Sequence, residues 1–131
     1  MNNRVVHFEI QAGDTERAIK FYQDVFGWDI KQWGGQKYWI VMTAPKDSKE
    51  PGLNGGLLPR MGGTPVEGAS VNAYVCSIQV DSYDEVHDKI LKAGGVVALP
   101  KYALPGMAWQ GYYKDTEGNI FGVHQSDVTA K

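Results

Sequence analysis

Apolar and polar residues alternate over residues 5–12, near the start of the chain. The apolar positions are Val6, Phe8 and Ile10, and the polar positions are His7, Glu9 and Gln11. A period of two is typical of a β-strand with one buried face. The other face carries an imidazole beside a carboxylate, so it either meets water or lines a pocket.

Two further patterns complete the first half of the chain. Apolar residues spaced three and four apart predict a helix that begins after Asp14, a good N-cap residue, and ends at Gly27. Alternating residues then predict strands at 28–33 and 38–43, joined by a glycine turn, and a short strand at 54–58.

The second half of the chain repeats this order. A strand is predicted at 75–80, followed by a helix after Ser82, which has Glu85 three residues later as in a capping box. Three more strands are predicted at 96–99, 108–114 and 119–125, and the tail after them is expected to fray.

The two halves align when Asp14 is matched with Ser82, 68 positions later. An offset of 67 aligns Asp14 with Asp81 instead, and both registers stay open. We interpret the repeat as a duplicated βαβββ unit, which makes the fold class α+β. Residues 1–60 and 70–131 would be the two modules of one domain, joined by a linker at 61–69. Two such sheets side by side would place His7 and Glu9 in a polar cleft.

Composition narrows the functional classes. A net charge of −2 gives no basic surface for nucleic acid or for a membrane, and no apolar run reaches membrane-span length. Cys76 is the single cysteine, so an internal disulfide is excluded and a reducing, cytoplasmic location is expected. Its strand pattern predicts that Cys76 is buried on an apolar face.

Two segments resemble a known superfamily. They are His7-Phe8-Glu9-Ile10 with the helix that ends at Gly27-Trp28, and the turn Asp115-Thr116-Glu117-Gly118-Asn119, in which Thr116 replaces the usual proline. Both are similar to the vicinal oxygen chelate superfamily, which includes glyoxalase I, extradiol dioxygenases, and fosfomycin- and bleomycin-resistance proteins. The resemblance implies paired βαβββ modules that form a cupped mixed sheet with the helices outside, and a homodimer.

The resemblance also implies four metal-ligand positions on the inner strands. They fall on His7, near Gly56, on Val75 (or Tyr74 in the other register) and on Gly122. Only His7 is a usual ligand for a divalent metal. We therefore expect no metal and no other cofactor, with a displaced site of His7, Glu9 and His124 as the alternative.

These observations predict a metal-independent protein that binds a small molecule with an apolar or aromatic body and a polar handle. The predicted ligand-binding residues are His7, Glu9, Trp39, Tyr74, Trp109 and His124. No catalytic residue is identified, because no nucleophile or second acid accompanies His7 and Glu9. The alternatives are a metal-dependent lyase similar to lactoylglutathione lyase, a dioxygenase, or a dimeric interaction module with a vestigial cleft.

Overall fold

The computed structural model describes residues 3–131, and the chain separates into two compact units, Met1–Gly63 and Thr64–Lys131. The first unit contains five elements, which are β1 (Phe8–Ala12), α1 (Thr15–Phe26), β2 (Asp29–Gln32), β3 (Trp39–Met42) and β4 (Gly55–Pro59). Its strands form one mixed sheet in the order β1-β4-β3-β2. The β1–β4 pair is parallel and the other pairs are antiparallel.

The second unit has the same plan. Its elements are β5 (Ser77–Gln79), α2 (Tyr83–Lys92), β6 (Val96–Leu104), β7 (Ala108–Lys114) and β8 (Ile120–Ser126). The sheet order is β5-β8-β7-β6, with β5 and β8 parallel and the remaining pairs antiparallel. The predicted α+β class with two βαβββ modules is therefore confirmed.

Both helices begin at the predicted caps. The Asp14 carboxylate accepts a hydrogen bond from the Arg17 amide at 3.0 Å, and the Ser82 hydroxyl accepts one from the Glu85 amide at 3.3 Å. Each bond satisfies an amide that the helix itself leaves without a partner. Gly27 ends α1 at φ +70°, a conformation that suits glycine. The two helices, of 12 and 10 residues, are too short and too polar to cross a membrane in the part of the chain that the structure describes.

One face of each sheet packs on its own helix. In the first unit α1 buries Phe21 and Tyr22, and the Tyr22 ring stacks on Trp28 at 5.1 Å between centroids. Burying a side chain of this kind contributes roughly 1.5–3 kcal/mol. Because Val41 and Leu57 are also fully buried, strand alternation places the polar residues of β1 on the opposite face.

In the second unit the helix-side face contains a buried chain of hydroxyl groups. The Tyr113 hydroxyl donates to the Tyr83 hydroxyl at 3.0 Å and lies 2.8 Å from Nδ1 of His87. Burial, and then the bond to Tyr83, raise the pKa of Tyr113 well above its usual range. Gly111 faces the Tyr83 hydroxyl, and a Cβ there would overlap it.

Several boundaries differ from the sequence predictions. The first strand begins at Phe8, opposite Gly55, and the fifth begins at Ser77, opposite Gly122, so His7 and Cys76 precede their strands. Cys76 is exposed, which contradicts the expected burial.

The C-terminal tail is docked, because the Gly106 amide donates to the Ala130 carbonyl at 2.8 Å and Ala130 is buried. The fraying expected there was therefore wrong.

Candidate functional site

Three side chains meet on the helix-free face of the first sheet. The Tyr38 hydroxyl donates to Oε2 of Glu9 at 2.8 Å, and Nε2 of His7 lies 2.9 Å from the same hydroxyl oxygen. The direct distance from His7 Nε2 to Glu9 Oε2 is 3.8 Å. We call His7, Tyr38 and Glu9 the His7 group. The side chains of His7 and Glu9 are half exposed, at 50% and 44%, so the group is open to a ligand.

The hydrogen bonds of the His7 group run in one direction, from His7 to Tyr38 and from Tyr38 to Glu9. A phenol has one proton, and Tyr38 gives it to the Glu9 carboxylate, which only accepts. The Tyr38 oxygen can then only accept from His7, so Nε2 carries the imidazole proton. Partial burial first, and then the hydrogen bond and negative charge of Glu9, raise the pKa of Tyr38 above its usual value. Tyr38 therefore stays a neutral phenol.

Gly56 provides the space for the Tyr38 ring. Gly56 on β4 lies between Glu9 of β1 and Ile40 of β3, and Tyr38 is two residues before Ile40 on the same face. A Cβ on Gly56 would lie 2.6 Å from Tyr38 Cε1 and would overlap its hydroxyl. The absence of a side chain at position 56 is thus what lets Tyr38 reach across β4 to Glu9.

A second polar group lies on the second sheet. Gln110 Nε2 donates to Oγ of Ser77 at 3.0 Å, and Gln110 Oε1 lies 2.7 Å from Nδ1 of His124. We call Ser77, Gln110 and His124 the His124 group. Gln110 is 5% exposed, so its amide is held by these two partners. Because Oε1 only accepts, His124 carries its proton on Nδ1.

The two groups share one arrangement although their residues differ. Gly122 on β8 lies opposite Ser77, as Gly56 lies opposite Glu9. A Cβ on Gly122 would lie 2.8 Å from Gln110 Nε2 and would overlap Ser77 Oγ. In each unit, therefore, a side chain crosses a glycine and reaches a polar side chain on the first strand; it comes from the residue just before β3 in the first unit and from β7 in the second.

The predicted ligand-binding residues are distributed over several surfaces. His7 and Glu9 belong to the His7 group, and His124 to the His124 group. Trp39 lies on the same face of β3 as buried Val41, which is the face opposite Glu9. The structure therefore does not bring Trp39 together with the His7 group.

The other two aromatic candidates also lie away from the polar groups. Trp109 shares the helix-side face of β7 with Tyr113, and its Nε1 donates to Asp127 at 3.0 Å while Lys101 Nζ lies 4.6 Å from its ring centroid. Tyr74 is fully exposed in the loop before β5. Strand alternation places the Trp109 side chain on the face opposite Gln110, and no hydrogen bond from Tyr74 to the His124 group is found over residues 3–131.

Three participating residues were missed in the sequence, namely Tyr38, Ser77 and Gln110. Tyr38 and Gln110 each stand two residues before the residue that pairs with a glycine, Gly56 or Gly122. Residues two apart in a strand share a face, so this alternation was the signal for Tyr38 and Gln110. That signal can be used only when the strand register is known.

The residues at the family's metal positions do not fit a divalent ion. Positions 56 and 122 are glycines, and neighbouring side chains fill the space above both. The hydroxyl of Tyr38 bonds to both His7 and Glu9, and its raised pKa disfavours the phenolate that a metal would need. Over residues 3–131, no three His, Cys, Asp or Glu side chains lie close enough together to hold a metal.

An open groove lies where β1 and β4 begin. It has a volume of about 350 Å³ and is lined by Arg4, Val5, Val6, Gly52, Leu53 and Asn54. His7 follows the first lining segment directly in the chain. The lining is mixed, because Val5, Val6 and Leu53 are apolar whereas Arg4 and Asn54 are polar.

Comparisons with known proteins agree with this structure. Residues 4–41 match the family described as bleomycin resistance protein-like N-terminal. A glyoxylase-like domain-containing protein of Didymella fabae is 27% identical over 94% of both chains. A putative glyoxylase, CFP32, of Mycobacterium bovis is 28% identical over 91% of this chain, which spans 44% of that protein's length.

The fold is also found among solved structures. The fosfomycin resistance protein FosX of Listeria monocytogenes superimposes with a TM-score of 0.73 at 18% identity, over 98% of this chain and 94% of that chain. With two βαβββ units, glyoxylase-like relatives and a match to this N-terminal family over residues 4–41, the chain is similar to proteins of the vicinal oxygen chelate superfamily.

Proposed function

We propose that this protein binds a small organic molecule without a metal ion, in the manner of a glyoxalase/bleomycin-resistance-type binding protein. The observation that carries the proposal is the position of Tyr38 above Gly56, with its hydroxyl bonded to His7 and Glu9. Two residues that could act as metal ligands are thereby engaged by a neutral phenol. The equivalent space above Gly122 holds a neutral amide.

The ligand would have an apolar or aromatic body and a polar handle. The groove volume of about 350 Å³ is near the lower end of the range for small-molecule sites, roughly 300–1,000 Å³. Its apolar lining, Val5, Val6 and Leu53, would contact the body of the ligand. The His7 group would bind the polar handle.

Metal content tests the first half of the proposal. The purified protein is incubated with Mn²⁺ or Zn²⁺, dialysed, and assayed for metal by mass spectrometry. We expect much less than one equivalent of either ion, and the same result for His7→Ala. Stoichiometric retention that His7→Ala abolishes would instead support the alternative, a metal-dependent lyase or dioxygenase. A solved FosX mutant complex from Listeria monocytogenes contains Mn(II) and a dihydroxypropylphosphonic acid, which makes Mn²⁺ an appropriate ion to test.

Thermal-shift screening tests the second half. A ligand that binds only the folded state stabilises it by RT ln(1 + [L]/Kd), so the melting temperature rises with ligand concentration. We expect hits among aromatic compounds with one polar group, and we expect His7→Ala and Glu9→Ala to remove the shift. Asp24→Ala is the matched control, because Asp24 lies on α1 and its carboxylate pairs with Lys20 on the same helix. Hits that survive both site substitutions would place binding elsewhere.

The oligomeric state is part of the same proposal. Apolar residues just before β1 and β5 are strongly exposed in the single chain, namely Val5, Val6 and Tyr74, and Val75 is partly exposed. Exposed apolar surface of this kind is common at interfaces between protein chains. We propose a homodimer, which light scattering after gel filtration would distinguish from a monomer.

A further inference from the structure

We propose that the His7 group binds a hydrogen-bond donor of the ligand, such as a primary ammonium, and disfavours an anion. This inference rests on the proposed function and names the chemistry of the polar handle. It follows from the direction of the hydrogen bonds within the group.

The bonds within the group leave one acceptor facing outward. His7 uses its Nε2 proton on Tyr38, and Tyr38 uses its only proton on Glu9. Glu9 presents its second oxygen, Oε1, for which no partner is found among the described residues. This carboxylate oxygen accepts hydrogen bonds and donates none.

Charge favours the same ligand. Glu9 brings negative charge to the His7 group, and Tyr38 beside it is a neutral phenol. An ammonium can make a charge-assisted hydrogen bond to Oε1, whereas a carboxylate or phosphonate would meet like charge at that oxygen. Arg4 is the cation that lines the groove, and it is already engaged in an interaction of its own.

Three probes of similar size test the inference, namely benzylamine, benzyl alcohol and benzoate. Each is titrated into the protein while the imidazole resonances of His7, assigned with His7→Ala, are followed by NMR. We expect benzylamine to bind about tenfold more tightly than benzyl alcohol, which corresponds to about 1.4 kcal/mol. Benzoate should be the weakest of the three.

Two variants connect the preference to Glu9. Glu9→Gln keeps the shape of the side chain and removes its charge, so it should reduce the benzylamine affinity about tenfold and leave benzyl alcohol nearly unchanged. Asp24→Asn removes one negative charge, as Glu9→Gln does, but on α1. Benzylamine affinity should stay at the wild-type value in this variant.

The possible failures are distinguishable. Benzoate binding as tightly as benzylamine, or equal effects of Glu9→Gln and Asp24→Asn, would overturn the donor preference and leave small-molecule binding intact. If none of the probes shifts the His7 resonances, while aromatic hits from thermal screening do, the handle is of another class and the inference is wrong. If neither probes nor hits shift them, the His7 group is not the binding site and the proposed function fails there too.

Discussion

Gly56→Ala tests whether the His7 group depends on the space above Gly56. The added Cβ would lie 2.6 Å from Tyr38 Cε1 and closer to the end of the ring, whereas ordinary contacts are 3.4–4 Å. The ring must therefore move by about 1 Å or more. Such a movement breaks its hydrogen bonds to Glu9 and His7, which are 2.8 and 2.9 Å long.

The expected cost follows from these two bonds. Each contributes about 0.5–1 kcal/mol at a half-exposed position, where water partly replaces it. The loss of about 1–2 kcal/mol is offset by roughly 0.4–1 kcal/mol, because alanine restricts the unfolded chain more than glycine does. We expect Gly56→Ala to lower the free energy of unfolding by about 1 kcal/mol, measured by urea denaturation.

A double-mutant cycle makes the test specific. In a Tyr38→Ala background the obstructing ring is absent, so Gly56→Ala should be neutral or slightly stabilising. The coupling energy between positions 38 and 56 should then be about 1–2 kcal/mol. Equal destabilisation in both backgrounds would show that Tyr38 does not occupy the space above Gly56, and the reasoning about the His7 group would be refuted.

Three further predictions concern the second unit. Gln110→Leu should release His124 from the Nδ1–H tautomer, which imidazole ¹⁵N shifts would detect; unchanged shifts would contradict the assigned role of Gln110. Gly111→Ala should cost about 1–3 kcal/mol in urea denaturation, because the added Cβ meets the hydroxyl of buried Tyr83, which cannot move outward; a neutral result would exclude that close contact. The raised pKa of Tyr113 means that above pH 10 the unfolded chain loses this proton while the folded chain keeps it, so stability should fall as the pH rises. Tyr113→Phe should show a shallower fall between pH 10 and 11, and identical slopes would argue against the buried hydroxyl chain.

Helices were predictable from the sequence because their signals are local. Asp14, Ser82 and Gly27 act through residues three or four positions away, and each has the predicted role in the structure. Strand ends depend on partners that are distant in the chain. Residues 5–7 alternate like a strand, but regular pairing with β4 begins only at Phe8.

The same distinction applies to the candidate site. His7 and Glu9 were found because they alternate within one segment. Tyr38 is 29 residues from Glu9 in the chain, and only the register of β1, β4 and β3 brings them together. Trp39 was misplaced for a related reason: alternation puts it opposite Tyr38, but the sequence does not say which of the two faces the helix.

The pairing of a glycine with a crossing side chain constrains the order in which mutations can be accepted. A side chain can appear at position 56 without penalty only after Tyr38 has been replaced by a smaller residue, and position 122 depends in the same way on Gln110 and Ser77. Metal ligands at positions 56 and 122 would therefore need paired changes in each unit. A single substitution at either glycine lowers the stability of the fold until the crossing side chain is replaced as well, so the members of each pair are expected to change together.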